Sequence, residues 1–155
     1  MIQRIQSVYL SLTILLSLLF LPGSFLTFID NSASSITIGF IGIHREVGLN
    51  NSELVERLIP ISFLFILIPA LALVTIVLFK NRNIQLILSG ILIFLIILLF
   101  IASTYYSYII ISHYEAHISI GYKMFIPLML LIFSILAFRA IRNDDRLVKS
   151  YDRLR

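Results

Sequence analysis

Residues 87–103 read ILSGILIFLIILLFIAS, and this run lies inside a stretch of 30 residues between Arg82 and His113 that carries no charged side chain. A helix needs about 20 apolar residues, at about 1.5 Å each, to cross about 30 Å of hydrocarbon. Three other gaps between charges invite the same reading. Between Arg4 and Asp30 lie 25 residues centred on LTILLSLLFL, between Arg57 and Lys80 lie 22, and between Lys123 and Arg139 lie 15. The sequence therefore predicts four spanning helices, Val8–Phe28, Leu58–Phe79, Ile84–Ile111 and Tyr122–Ile141. The fourth is long enough if Lys123 and Arg139 extend their aliphatic stems to the headgroups.

Composition agrees. Of 155 residues, 59% are apolar and 13% charged, and mean hydropathy is +1.02. An ordinary soluble domain has about 45–50% apolar and about 25% charged residues, and one this small could not bury the excess. There is no cysteine, which excludes disulfides, thiol redox chemistry and cysteine-held metals. There is no tryptophan, so interfacial aromatics must be Tyr and Phe. The first apolar run exceeds the usual signal-peptide core of about 7–15 residues and is followed by no A-x-A-like site, so it reads as an uncleaved span.

Charge sets the expected orientation. Arg4, Lys80, Arg82, Arg139, Arg142, Arg146, Lys149, Arg153 and Arg155 fall on one side, and Arg45, Arg57 and Lys123 on the other. Nine against three predicts that both termini are cytoplasmic. The basic pI of 9.6 then follows from topology and from anionic lipid, and no nucleic-acid partner is expected.

Outside the spans, the outer loop 30–57 contains SSITIGFIGI, where Ile36, Ile38 and Phe40 alternate with Thr37 and Gly39 as in a half-buried strand. A short strand or hairpin is expected there, either as a recognition surface or as a cap on the helices. Asn50 followed by Glu53 suggests a helix start leading into the second span. The inner loop is 80–83. In the outer loop 112–121, His113 and His117 would share a helical face and could bind a divalent cation. Their third ligand would have to be Glu115, which faces elsewhere, or His44, so neither a metal nor another cofactor is expected. The tail 142–155 shows an apolar stripe beside a basic face, as in a helix lying in the headgroup layer. Arg139, Arg142, Arg146, Lys149, Arg153 and Arg155 form its candidate surface for anionic lipid or a partner.

The hydrocarbon itself holds no ionisable residue at depth, where relays and ion paths need them. Gln85 lies at the cytoplasmic edge, and the buried Ser and Thr can bond their own helix backbone. Pro69 has no counterpart in another span of the kind transporters pair. No nucleophile elbow, zinc-protease pattern or phosphate loop is present.

The motifs Ile2-Gln3-Arg4-Ile5-Gln6, Gly121-Tyr122…Pro127-Leu128 and Arg139-Ala140-Ile141-Arg142…Leu147-Val148…Asp152-Arg153-Leu154-Arg155 resemble domain-of-unknown-function family 4293 of Bacteroidota. That resemblance implies a small four-span protein of the bacterial inner membrane and supplies no reaction, substrate or catalytic residue. The expected fold is an all-α membrane protein: four transmembrane helices, a strand or hairpin in the first extracytoplasmic loop, and an amphipathic cytoplasmic C-terminal helix. The expected role is a non-enzymatic accessory or structural subunit of an inner-membrane complex, in a setting such as protein export or envelope biogenesis. Its partners would be membrane lipids and other membrane subunits or further copies of itself. A homo-oligomeric channel or transporter is the alternative, and a membrane enzyme using the outer histidines is a third reading.

Overall fold

The computed structural model describes residues 3–20, 24–29, 35–46, 52–79, 81–114, 116–119 and 121–153. Its elements run α1 (Gln3–Phe20), β1 (Ser24–Ile29), β2 (Ser35–Gly39), β3 (Gly42–Glu46), β4 (Ser52–Arg57), α2 (Ile59–Val77), α3 (Arg82–Tyr114) and β5 (His117–Ser119). A short 3-10 turn (Tyr122–Phe125) then leads into α4 (Ile126–Arg153). The chain is not all-α. Its strands form one five-stranded antiparallel sheet in the order β4-β3-β2-β1-β5.

That sheet corrects several expectations. Residues 24–29, expected within the first span, form β1. Pro22 and Gly23 stand in the sequence just before it, and both disfavour a continuing helix. Ser24-Phe-Leu-Thr-Phe-Ile29 is rich in aromatic and β-branched side chains that suit a strand. Residues 52–57, expected to begin a helix, form β4, and α2 starts only at Ile59. The C-terminal tail is no separate headgroup-layer helix either, because α4 runs unbroken through Arg139 to Arg153.

Three helical segments are long and apolar enough to cross a membrane: Ile59–Val77, Arg82–Tyr114 and Tyr122–Leu147. The apolar part of α1, Ile5–Leu19, is shorter. α1 packs on α2, α2 on α3, α3 on α4, and α4 back on α1, which closes a ring. β1 follows the C-terminal end of α1, β4 leads into α2, and β5 follows α3 and pairs with β1. The sheet therefore sits at one end of the ring, and the other end holds the start of α1, the α2–α3 turn and the last turns of α4.

Each helix turns a stripe of alternating three- and four-residue spacing inward, the spacing of near-parallel helix packing. These buried stripes are Gln6, Leu10, Thr13, Ser17; Ile61, Phe65, Ile68, Ala72, Thr75; Gln85, Ser89, Leu92, Ile96, Leu99; and Leu130, Ser134, Ala137, Ile141, Asp144. The inner face of the sheet adds Leu26, Phe28, Ile36, Ile38 and Ile43 to the same core. Phe65 joins helix to sheet, with the Phe25 ring edge-on at 5.6 Å and the Phe40 ring tilted at 6.2 Å. The Ser62 hydroxyl donates to the Phe40 carbonyl at 2.5 Å, so the β2–β3 tip is fastened to the start of α2.

Two glycines separate close approach from mere tolerance. A Cβ on Gly42 would overlap the Glu56 carbonyl of β4, a backbone atom that cannot turn aside, whereas one on Gly90 meets only the Phe138 ring at 4.0 Å. Gly42→Ala is expected to cost about 1–3 kcal/mol, the usual penalty of overpacking. Gly90→Ala is expected to gain about 0.5–1 kcal/mol through helix propensity. Thermal midpoints of the full chain in mild detergent, falling for the first and rising for the second, check both.

Candidate functional site

At the level of the hydrocarbon the ring is closed. Leu10, Ile68, Leu92, Ile96 and Leu99 are fully buried inside it. The buried hydroxyls turn back onto their own helices: Thr13 to the Tyr9 carbonyl, Ser17 to Ile14, Thr75 to Leu71, Ser89 to Leu86 and Ser134 to Leu131, all at 2.7–2.9 Å. Such residues let helices approach closely and leave no donor facing a pathway.

Polar groups converge instead at the end opposite the sheet. Gln6 lies in the first turns of α1 and Gln85 in the first turn of α3, and both head the inward stripes of their helices at 5% and 4% exposure. Asp144 ends the inward stripe of α4, 7% exposed. Arg82, the first residue of α3, reaches across to α4 and donates from Nη1 to the Asp144 main-chain carbonyl at 3.1 Å. Among the described residues, the Asp144 Oδ2 has no hydrogen-bond partner.

Gln6, Arg82 and Gln85 border a cavity of about 490 Å³. Its polar lining is Gln6, Ser7, Arg82 and Gln85, and its apolar lining is Val8, Phe79 and Ile141. Three helices, α1, α3 and α4, and the turn after α2 thus contribute to one chamber. A second cavity, of about 230 Å³, lies where β1 and β5 meet α3 and α4. The Ser103, Thr104 and Ser107 hydroxyls on its wall are taken up by their own helix backbone.

The residues singled out from sequence fall elsewhere. His113 is exposed near the end of α3 and His117 is exposed in β5, so they do not share a helical face. Among the described residues no group of three His, Cys, Asp or Glu could hold a metal ion. Glu115 lies outside the described residues. Arg139, Arg142 and Arg146 are exposed along the outward face of α4. Lys149 and Arg153 belong to α4, but their side chains, like Arg155, are outside the described set. Ile36 and Ile38 are buried against the helices and Phe40 is half-buried against Phe65. The outward side of the sheet carries Thr27, Thr37, His44 and Leu54. On its inward side the Arg45 guanidinium lies 5.7 Å from the centre of the Tyr114 ring, a cation–π contact that ties β3 to the end of α3.

In the sequence Gln85 reads as an edge residue and Arg82 as one of nine basic charges, and Asp144 stands out in no way. The missed signal is periodic. Asp144 continues the Leu130, Ser134, Ala137, Ile141 series, which puts an acid on a packing face and not on a solvated one.

Residues 2–154 match the family model described as Domain of unknown function (DUF4293). No curated protein and no solved structure matches the chain.

The Arg82–Asp144 contact has a measurable coupling. Arg82→Ala removes a hydrogen bond and leaves a buried carboxylate without its countercharge, whereas in an Asp144→Asn background only the hydrogen bond is lost. Arg82→Ala should therefore destabilise the wild-type chain by about 1–2 kcal/mol more than it destabilises the Asp144→Asn chain. A double-mutant cycle on detergent-solubilised protein checks it.

Proposed function

We propose that this chain, which belongs to the DUF4293 family, is a non-enzymatic accessory or structural subunit of a larger membrane assembly. The observation that carries this reading is the closed interior. Each buried hydroxyl named above bonds its own helix, so among the described residues none of these hydroxyls is offered to a solute at depth. Polar chemistry is confined to the two ends, where other subunits or lipid headgroups would meet it. Large apolar side chains such as Phe63, Phe94 and Ile101 face outward, as a lipid- or subunit-facing surface requires.

The membrane in this reading is the bacterial inner membrane, with both termini cytoplasmic. The positive-inside bias of nine basic residues against three supports that orientation. It requires α1 to cross as well. Its 18 residues span about 27 Å, close to the hydrocarbon thickness. The sheet is then extracytoplasmic, with Tyr105, Tyr108 and Tyr122 exposed near the outer interface. Export or envelope biogenesis are settings that suit a small scaffold of this kind.

Two measurements test the proposal. Because the chain has no native cysteine, Glu53→Cys and Asn143→Cys give clean single probes. A membrane-impermeant maleimide should label the first in intact cells and the second only after permeabilisation, and the reverse pattern would refute the orientation. Native gel electrophoresis after mild solubilisation should show the chain in an assembly that contains other membrane proteins. Migration as an isolated monomer of 17.7 kDa in every mild detergent would refute the accessory role.

A further inference from the structure

We propose that the cavity opposite the sheet is a binding site for a phosphate ester, supplied by a phospholipid headgroup. Its volume of about 490 Å³ falls within the range of about 300–1,000 Å³ common to small-molecule sites. Among the described residues, its polar wall is rich in N–H donors and contains no carboxylate. Arg82 spends one N–H on the Asp144 carbonyl, which aims the guanidinium, and keeps others for a ligand. A guanidinium fork matches two oxygens of a phosphate. Gln6 and Gln85 are more than nine-tenths buried and line the same chamber. An amide on such a wall has two N–H groups to offer a phosphate oxygen. The described lining of the chamber does not include Asp144, whose Oδ2 is sealed from solvent.

The source of the phosphate follows from the lips of the cavity. Val8 and Phe79 line it and are 53% and 51% exposed, so apolar side chains border the opening as they would beside acyl chains. Ile141 continues that apolar wall. The chamber lies where α1 begins and α2 ends, at the level of a headgroup layer whichever leaflet that is. The inference is thus independent of the chain's orientation and of its role in an assembly.

Native mass spectrometry and thermal shift of the full chain in mild detergent test it with three probes: phosphatidylglycerol, diacylglycerol of the same acyl chains, and inorganic phosphate. Phosphatidylglycerol is expected to remain bound and to raise the thermal midpoint, and the other two are not. Arg82→Lys keeps the charge, loses the fork, and should weaken retention by about tenfold. Gln6→Ala/Gln85→Ala should weaken it as well, and Arg142→Gln/Arg146→Gln, on the outward face of α4, should not. Equal retention of diacylglycerol overturns the phosphate chemistry. A full effect from inorganic phosphate alone overturns the lipid source. Loss in the α4 surface variant with retention in both cavity variants overturns the site.

Discussion

Strand β1 is hydrogen-bonded along both edges, and the sheet-bearing end of the molecule depends on it. One edge pairs with β2 through Leu26–Ile38, Thr27–Thr37 and Phe28–Ile36, and the other with β5 through Thr27–Ser119, Phe28–Ile118 and Ile29–His117. A chain leaving a helix at a membrane surface has main-chain donors and acceptors that must be satisfied, and a sheet does this without requiring the chain to become helical again. β1 also sends Phe28, fully buried, into the core. The three residues of β5 thereby fasten the connection between α3 and α4 to the one between α1 and α2.

The helices are packed by shape more than by polarity. In lipid, burying an apolar side chain against another gains little over leaving it in acyl chains, so association rests on close fit and dispersion. The inward stripes carry Ser, Thr and Ala at Thr13, Ser17, Ala72, Thr75, Ser89, Ser134 and Ala137, interleaved with Leu and Ile. Small residues bring the backbones together and branched ones fill the remaining space. The hydroxyls add no bonds between helices, because each is satisfied locally. This explains how a polar residue can sit in the core of the ring without creating a path for water.

The same physics decides what could be read from the amino acids. Gaps between charges locate hydrophobic stretches well: α2 and α3 overlap two of those gaps, while α4 begins inside the fourth and runs on past Arg139 to Arg153. They are blind to backbone conformation. SFLTFI is uncharged as a helix or as a strand, so β1 was absorbed into the first span, although Pro22-Gly23 marks the break. The alternation in residues 35–39 is visible because that strand has one buried and one open face, with Ile36 and Ile38 inside and Thr37 outside. β4 gives no such signal: Glu53, Leu54, Val55 and Glu56 are all exposed, and its register is set by β3. The inward stripes of the helices are equally hard to see, since the lipid-facing positions are as apolar as the packed ones. Only the small and polar members betray them. The polar end cluster was hidden for a different reason: its members are separated by more than 130 positions, from Gln6 to Asp144, and only the ring closure of α1 on α4 brings them together.

The two ends of the ring face the same problem and answer it differently. At the sheet end, antiparallel pairing satisfies the backbone and an apolar face seals the helices. At the other end the described residues form no strand, and the helices close with side chains. That choice also fixes how α4 is rotated about its axis. Arg139, Arg142 and Arg146 follow one another at three and four residues on the outward face, and Ile141 and Asp144 lie on the inward one. Turning the helix by half a revolution would bury three guanidiniums and release one carboxylate, a far greater desolvation penalty than the single buried acid incurs. Arg82, arriving from α3 to bond the Asp144 carbonyl, makes the remaining penalty tolerable. Because that arginine is committed through only one of its donors, the arrangement that orients α4 also leaves a guanidinium edge facing the chamber.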